Sequence, residues 1–285
     1  MEEDIVTATS PSAGPIGGWS IDSAAAELLA CEAERRDRPP FTDDWADLDV
    51  ATGYRIQDLN LRHRLDRGER VVGVKLGLTS RAKQQQMGVD RPFVAWLTDA
   101  MQLSVGQPVP HDRLIHPRME PEIVFVMGSR LEGPGVRTDE AMAAVARVHG
   151  GAEIIDSRFA DFRFRAGDVV ADNASSGAFV IGASALSPEA LDLSAEGVSV
   201  EVDDTVVDSA TGASVLGHPG TALALAANEL ADRGLAIEPG WIVLTGGMAD
   251  AVPSTPDMTA ACHFTHLGTI RLHGGRVPSE SSGRA

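Results

Sequence analysis

Two glutamates separated by a single residue, Glu120 and Glu122, stand at the entrance to an apolar run at 123–127. Side chains alternate along a strand, so both carboxylates are expected on one face. Like charges at this spacing repel unless water or a cation lies between them, and hard divalent ions prefer carboxylate oxygens. Glu153 precedes a second apolar run, and a neighbouring strand could deliver it as a third ligand. The alternative is that Glu120 and Glu122 form the solvent face of an edge strand.

Lys75 is embedded in the apolar stretch at 71–80. A lysine in such a strand is costly unless it is paired or used in chemistry. Beside a metal and partly desolvated, its ammonium would stabilise an anionic intermediate, or a lowered pKa would let it carry a proton. The alternative is an edge lysine whose side chain extends to water.

The segment 172–177 contains Ser175 and Ser176 among other small polar residues. Their hydroxyls and the backbone N–H groups could bind a carboxylate without adding charge. By composition alone an ordinary turn is the favoured interpretation of the segment. The chain has no G-x-S-x-G motif and no cysteine with an obvious basic partner, which disfavours covalent catalysis. The acids, the lysine and this segment together indicate metal-assisted chemistry on a small oxo acid.

Asp156 and Arg158 follow Glu153 closely in the sequence. They either pair with each other or orient Glu153, because ligating carboxylates are commonly held by such neighbours. His218 precedes a proline at an expected helix start, where it would cap the helix or pack. The histidines at 116, 149, 263 and 266 have no spacing that indicates ligation and are interpreted as structural or exposed.

Composition restricts the classes of partner. The chain has 285 residues, with 41 Asp+Glu against 24 Lys+Arg and a formal net charge of −17. Such a charge repels nucleic acid and anionic membranes, and no apolar run of about 18 residues is present. The acidic N-terminus and two cysteines without metal-type spacing predict a reducing, cytoplasmic setting. A site for an anionic substrate must then carry local positive charge.

Periodicity predicts an α+β fold with a mixed, strongly curved sheet. The expected helices span 21–34, 50–67, 138–148 and 221–233. The expected β-type runs are 71–76, 123–127, 169–171, 179–181, 198–202, 241–244 and 259–264. We expect a disordered tail at 1–20, a helical N-terminal region at 21–70, a catalytic domain at 71–275 and a second tail at 276–285.

Several blocks of sequence carry a family resemblance. They are GVKLGLTS at 73–80, MGVD at 87–90, LTD at 97–99, PRMEPEI at 117–123, EIIDSR at 153–158, VADNASS at 170–176, LGHP at 216–219 and LTGG at 244–247. In this order the chain resembles the 2-oxopent-4-enoate hydratase and 2-oxo-3-hexenedioate (4-oxalocrotonate) decarboxylase group of the fumarylacetoacetate hydrolase superfamily. The resemblance covers about residues 50–275.

The resemblance implies a β-roll main domain and Mg²⁺ or Mn²⁺ held by Glu120, Glu122 and Glu153. It implies that Lys75 is the active-site lysine and that a 2-oxo acid chelates the metal through its carboxylate and its keto or enol oxygen. It further assigns a catalytic role to Asp99. The substrate-binding residues that it implies are Leu78, Ser175 and Ser176. A metal at the 2-oxygen would stabilise the dienolate that decarboxylation and hydration share.

The segments at 81–83, 154–164 and 244–248 look more like the decarboxylase branch than the hydratase branch. We therefore expect a lyase that decarboxylates a 2-oxo-3-enedioate in aromatic catabolism. Hydration of 2-hydroxypenta-2,4-dienoate is the alternative, and so is a re-purposed biosynthetic member, because 253–257 lacks the Ala-Gly-Asp turn usual in the family. The resemblance also implies a homo-oligomer and a complex with a hydratase or decarboxylase paralogue.

Two further classes compete with the lyase. A non-catalytic partner subunit is disfavoured because the three acids and the lysine are all present. A carbon–carbon hydrolase of the fumarylacetoacetate type is disfavoured because the N-terminal segment shows no convincing Glu/His pair to activate water.

Overall fold

The computed structural model describes residues 18–275, apart from the side chains of Ala82 and Lys83. Of the predicted tails, 1–17 and 276–285 lie outside the described residues. The helices of the described range are α1 (Ile21–Glu34), α2 (Val50–Asp66), α3 (Arg81–Met87), α4 (Thr138–Ala143), α5 (Ala166–Ala171) and α6 (Pro219–Ala231). Its strands are β1 (Val71–Gly77), β2 (Phe93–Thr98), β3 (Gln102–Leu103), β4 (Arg118–Met127), β5 (Val145–Ile155), β6 (Ser176–Ile181), β7 (Gly197–Val202), β8 (Thr205–Thr211), β9 (Ile242–Leu244), β10 (Val252–Pro253), β11 (Thr259–Phe264) and β12 (Thr269–His273). In this part of the chain no helix combines the length and hydropathy needed to span a bilayer.

The strands form two sheets. The larger has the order β2-β1-β9-β4-β5-β6-β3, with β10 beside β4, and the smaller has the order β12-β11-β7-β8. In the larger sheet β1/β9 and β3/β6 are parallel, whereas β1/β2, β4/β5, β4/β9 and β5/β6 are antiparallel. Register shifts within three of these pairs mark irregularities of the kind that bend strands. The predicted class, α+β with a mixed curved sheet, is confirmed.

The two faces of the large sheet carry different side chains, because residues alternate along each strand. On one face Val74 and Ile123 belong to the main apolar core, which also contains side chains of the small sheet and of α6. On the other face a second apolar cluster includes Val124 and Leu244. By alternation that second face also carries Lys75, Glu120, Glu122 and Glu153.

The N-terminal helices pack directly on the rest of the chain. Ser20 caps α1 and Asp49 caps α2 through side-chain oxygens that accept backbone N–H groups. Leu28 of α1 packs in a cluster with Phe159, which follows β5. At Gly53 of α2 a Cβ atom would lie 2.6 Å from the carbonyl oxygen of Gly167 in α5, so only glycine permits this approach. The predicted helical region therefore supports the segment that follows Glu153.

Two predictions of secondary structure are wrong. Residues 169–171, expected as a strand, belong to α5, where the Asp168 carboxylate accepts the Arg165 N–H at 2.9 Å and caps the helix. A short apolar run fits a buried helix as well as a strand, and docking on α2 decides between them. The helix expected at 138–148 ends at Ala143, and β5 begins at Val145, which pairs with Met127. Strands β2, β3, β8, β10 and β12 and helix α3 lie where the sequence pattern predicts no element.

Candidate metal centre

Glu120, Glu122 and Glu153 converge on one spot of the large sheet. Antiparallel pairing of β4 with β5 sets Glu120 directly opposite Glu153, and Glu122 follows two residues later on the same face. One carboxylate oxygen from each residue lies within 4.8 Å of the others. Glu122 and Glu153 are 0% and 2% exposed, whereas Glu120 is half-buried. The three predicted ligands are thus brought together by strand register.

Two buried oxygens of this triad accept no hydrogen bond. Glu122 Oε2 accepts the Gly246 N–H at 2.7 Å, but Glu122 Oε1 has no partner. Glu153 Oε1 also lacks a hydrogen bond; Lys75 Nζ lies 2.9 Å from it as an ion pair without hydrogen-bond geometry. Burial, with the charges of Glu153 and Glu120, raises the pKa of Glu122 well above its usual range. Because unpaired buried acceptors are costly and hard cations prefer oxygen, this donor set fits a divalent ion such as Mg²⁺.

The backbone approaches the carboxylates closely at Gly246 and Gly247, just after β9. Gly246 has φ +108, and a Cβ atom there would lie 2.0 Å from Thr79 Oγ1. A Cβ atom at Gly247 would lie 2.8 Å from Glu120 Oε2. Glycine is required at 246 by both conformation and space, and its N–H is the donor that holds Glu122.

Lys75 lies beside the triad on β1. Its side chain is 3% exposed, and Nζ donates a hydrogen bond to the Ala174 carbonyl at 2.5 Å in addition to its ion pair with Glu153. β1 reaches β4 through β9, which pairs with both strands. The lysine does not extend to water, so it is paired as a buried cation must be.

A cavity of about 720 Å³ opens above the triad. Lys75, Glu120 and Glu153 line it, and Glu122 lies buried behind them. Much of the remaining wall is apolar and comprises Leu78, Met87, Phe93, Phe164 and Val169. Leu78, a predicted substrate-binding residue, has φ +59, which a leucine seldom adopts. The cavity therefore combines a charged floor with apolar walls, as small-molecule sites do.

The serine segment borders this cavity in a strained conformation. Asn173, Ala174 and Ser175 have φ of 48°, 48° and 58°, all in the left-handed region. Ser175 lines the cavity, whereas Ser176 lines a separate cavity of about 150 Å³ and donates its hydroxyl to the Asn173 carbonyl at 2.8 Å. Of the two predicted serines, the structure places Ser175 at the candidate site.

Arg158 holds the serine segment from behind. Its buried guanidinium forms an ion pair with Asp172 and donates hydrogen bonds to the carbonyls of Asp172, at 2.7 Å, and Ser176, at 3.1 Å. Burial raises the pKa of Asp172 to about 6 even though Arg158 lowers it. Arg158 thus donates three hydrogen bonds to one turn, and these contacts stabilise the consecutive left-handed residues of the serine segment.

Asp156 and Arg158 do not occupy the predicted positions behind Glu153. Asp156 accepts the backbone N–H groups of Ile115 and His116 at 2.9 and 2.8 Å, just before β4. Neither residue forms an ion pair or hydrogen bond with Glu153 or with the other among the described contacts, because each holds a loop instead. The expectation that one of them orients Glu153 by contact is therefore wrong.

Asp99 is not brought to the cavity. It follows β2 in a 3-10 turn, where its carboxylate accepts the backbone N–H and the Nε–H of Arg70 at 2.9 and 3.0 Å. Lys75 and Asp99 lie at different ends of the antiparallel pair β1/β2, since Val71 is the partner of Thr98. The contacts of Asp99 are those of a structural residue that joins the start of β1 to the end of β2. Outside the site, His218 caps α6 by accepting the Gly220 N–H at 2.9 Å.

Sequence reasoning missed Arg118 and Phe162, both of which line the cavity. Arg118 precedes Glu120 by two residues, so the alternation that joined Glu120 to Glu122 also places Arg118 on that face. Phe162 lies in a loop with no local pattern and with φ +54. Only the folded chain reveals it.

A buried acidic triad beside a lysine on a curved mixed sheet defines a divalent-metal enzyme of the fumarylacetoacetate hydrolase fold. No family model matches the chain. The chain is 42% identical over 246 residues to a 4-oxalocrotonate decarboxylase of Pseudomonas sp. (strain CF600), covering 86% of this chain and 93% of the relative. It is 35% identical over 250 residues to a 2-keto-4-pentenoate hydratase of Paraburkholderia xenovorans (strain LB400), covering 88% and 93%.

The solved structure of 4-oxalocrotonate decarboxylase from Pseudomonas putida G7, complexed with magnesium and adipate, matches with a TM-score of 0.87 and 38% identity over 89% of this chain and 96% of that one. The chain therefore belongs to the family of 4-oxalocrotonate decarboxylases and 2-keto-4-pentenoate hydratases. The predicted family and the predicted class, a lyase, are confirmed.

Proposed function

We propose that the protein is a Mg²⁺-dependent decarboxylase of a 2-oxo-3-enedioate of the 4-oxalocrotonate type. The observation that carries the proposal is the triad of Glu120, Glu122 and Glu153, in which a buried Glu122 oxygen lacks a donor and Glu153 forms an ion pair with the buried ammonium of Lys75. Relatives named decarboxylase, and a solved relative that holds magnesium and the diacid adipate, support the choice of reaction and ion.

The three glutamates would hold the ion, which when bound supplies Lewis-acid stabilisation of negative charge on oxygen. In the reaction the C5–C6 bond of 2-oxo-3-hexenedioate breaks and C6 leaves as CO₂. The electron pair forms the C4–C5 double bond, the C3–C4 double bond shifts to C2–C3, and the 2-oxo oxygen gains the negative charge. The product is a conjugated dienolate that needs one proton.

Lys75 is proposed to supply that proton. Its ammonium lies between the Glu153 carboxylate and the Ala174 carbonyl, which fixes Nζ at the cavity floor. Proton transfer to the dienolate oxygen gives 2-hydroxypenta-2,4-dienoate, and water then restores the ammonium. Ser175 borders the same floor and is proposed to bind the substrate carboxylate next to the oxo group.

Hydration of 2-hydroxypenta-2,4-dienoate is the second candidate, favoured by the hydratase relatives at 35% identity. The apolar wall of Phe93, Phe164 and Val169 favours decarboxylation instead. A substrate carboxylate that is separated from water beside such a wall is destabilised relative to neutral CO₂.

The test is a pair of turnover assays on Mg²⁺-loaded protein. With 2-oxo-3-hexenedioate we expect CO₂ release that chelation of the metal abolishes. With 2-hydroxypenta-2,4-dienoate we expect no comparable water addition. Water addition without CO₂ release would establish the hydratase, and turnover of neither compound would refute both activities.

We further propose that the enzyme acts in the cytoplasm, in aromatic catabolism, as a homo-oligomer that can associate with a hydratase or decarboxylase paralogue. The support is the reaction proposed above, whose product is the substrate of the related hydratases. Light scattering of the purified chain, and its co-purification with a paralogue, test the two assembly proposals separately.

A further inference from the structure

One cationic side chain of the candidate site, Arg118, has no role in the metal centre or in the proton transfer proposed for Lys75. Arg118 lines the cavity, and none of the carboxylates in the described range forms an ion pair with its guanidinium. Arg163, which also lines the cavity, is 61% exposed and binds Asp43 through two hydrogen bonds of 3.0 and 2.7 Å. In a chain of net charge −17, an arginine at a cavity without an acidic partner is available for an anionic ligand.

The guanidinium of Arg118 is held in place by an aromatic ring. Its Cζ lies 4.1 Å from the ring centroid of Phe162, and the His116 ring lies 4.9 Å from the same centroid on a tilted contact. Phe162 and its neighbour Asp161 have φ of 54° and 58°. The loop thus maintains an unfavourable backbone conformation at the point where Phe162 contacts Arg118, which is a pattern common at binding sites.

Position along the strand relates Arg118 to the triad. It precedes Glu120 on the same face of β4, and its register partner Ile155 follows Glu153 on β5 by two residues. Two residues of a strand span about 7 Å, which is comparable with an extended chain of six carbons. A diacid with one end at the triad can therefore place its other carboxylate at Arg118.

We infer that Arg118, positioned by Phe162, binds the distal carboxylate of the substrate and makes the enzyme selective for dicarboxylic 2-oxo acids. The inference rests on the proposed function for the placement of the 2-oxo end. A guanidinium binds a carboxylate through two parallel hydrogen bonds, which fixes the direction of the C5–C6 bond. The exposed Asp250 lines the same cavity and would oppose the anion, and the charge of Arg118 would offset that repulsion.

The chemistry limits what Arg118 contributes. The carboxylate that it binds becomes neutral CO₂ in the proposed reaction, so the ion pair is strongest before the bond breaks. Such an interaction lowers KM without raising kcat. We expect Arg118→Met to raise KM for 2-oxo-3-hexenedioate by about tenfold or more, with kcat unchanged or increased.

A binding assay tests the inference without turnover. The probes are 2-oxoadipate and 2-oxohexanoate, which differ only in the distal carboxylate, titrated into the Mn²⁺-loaded full chain. Arg118→Met should weaken the binding of 2-oxoadipate by about tenfold or more and the binding of 2-oxohexanoate by less than about twofold. Arg118→Lys should lose part of the preference, and Phe162→Leu should reduce it by about two- to fivefold. The matched control Arg163→Met should leave both affinities unchanged.

Equal weakening of both acids by Arg118→Met, or no preference for 2-oxoadipate in the unmodified protein, would overturn the inference. Thermal unfolding and Mn²⁺ affinity of each variant show whether fold and metal site are intact, and Arg118→Lys provides the answer if the methionine variant does not fold. Retained discrimination without CO₂ release from 2-oxo-3-hexenedioate would refute the decarboxylase and leave the dicarboxylate site standing.

Discussion

Replacing Glu122 with glutamine is expected to change two properties in opposite directions: the metal-free protein becomes more stable, and divalent-metal affinity falls. The substitution keeps side-chain volume and removes one negative charge from a residue that is 0% exposed. The Gly246 N–H can still donate to the side-chain carbonyl oxygen.

The magnitude follows from the distances within the triad. The carboxylate oxygens lie within 4.8 Å of one another, and two unit charges at that distance repel by about 3.5 kcal/mol at an effective dielectric constant of about 20. Glu122 takes part in two such pairs, and the Lys75 charge offsets part of the repulsion. Because Glu122 can also protonate, we expect a gain of about 1–3 kcal/mol in the free energy of unfolding of the metal-free Glu122→Gln protein at pH 8.

Metal affinity should fall by at least about 100-fold, more than the 10- to 100-fold typical of residues that only support a ligand. Urea unfolding in EDTA measures the stability, and Mn²⁺ titration measures the affinity. The matched control is Glu196→Gln, since buried Glu196 accepts hydrogen bonds from the His266 and Leu267 N–H groups at 2.8 and 3.2 Å. That change should destabilise the protein by about 1–3 kcal/mol and leave Mn²⁺ affinity unaltered. A Glu122→Gln protein with unchanged Mn²⁺ affinity, or with lower metal-free stability, would refute the reasoning.

The remaining predictions concern pH, proton transfer and the serine segment. Folding of the metal-free protein raises the pKa of Glu122 above the ordinary 4.5, so this residue favours folding at low pH and opposes it as pH rises. The increase in Tm that Mg²⁺ produces should therefore grow between pH 5 and pH 8. Calorimetry that shows a constant increase would contradict this. Lys75→Met should reduce CO₂ release by about 100-fold or more, because the proton donor is removed. Mn²⁺ affinity should be retained or increased, because a cation beside the triad is removed as well. Wild-type turnover by the variant would exclude Lys75 as the donor. Asp172→Asn should destabilise the protein by about 3–5 kcal/mol, because Arg158 is left buried and unpaired. Urea unfolding should show that stability is recovered in the double variant that also carries Arg158→Met. Equal instability of the single and double variants would contradict this prediction.

Local patterns in the sequence were sufficient for part of the site. Alternation along one strand predicts that Glu120 and Glu122 share a face, and β4 has that form. The contribution of Glu153 depends on the register of β5 against β4, which no local pattern contains. The residues alone made Glu153 a candidate third ligand, and the family resemblance assigned it. The same holds for Lys75, whose burial depends on β1 lying inside the sheet between β2 and β9.

The errors have physical causes in tertiary contacts. Residues 169–171 form a helix because Gly53 and Gly167 allow α2 and α5 to touch, and Val145 enters a strand because β4 offers it a partner. Arg158 was expected near Glu153 because they are close in sequence. In the fold its guanidinium turns to Asp172, since a buried arginine must find several acceptors at once.

The short strand β9 has a consequence for the order of events during synthesis. Its three residues, Ile242–Leu244, are the connection between the strand that carries Lys75 and the strand that carries Glu120 and Glu122. All of those side chains leave the ribosome long before β9 does. A nascent chain that ends before β9 can therefore pair β4 with β5 and bring the three glutamates together, but it lacks the strand that joins β1 and Lys75 to them. The ion pair between Lys75 and Glu153 consequently forms only after β9 has been synthesised, later than the carboxylate cluster that it partly neutralises.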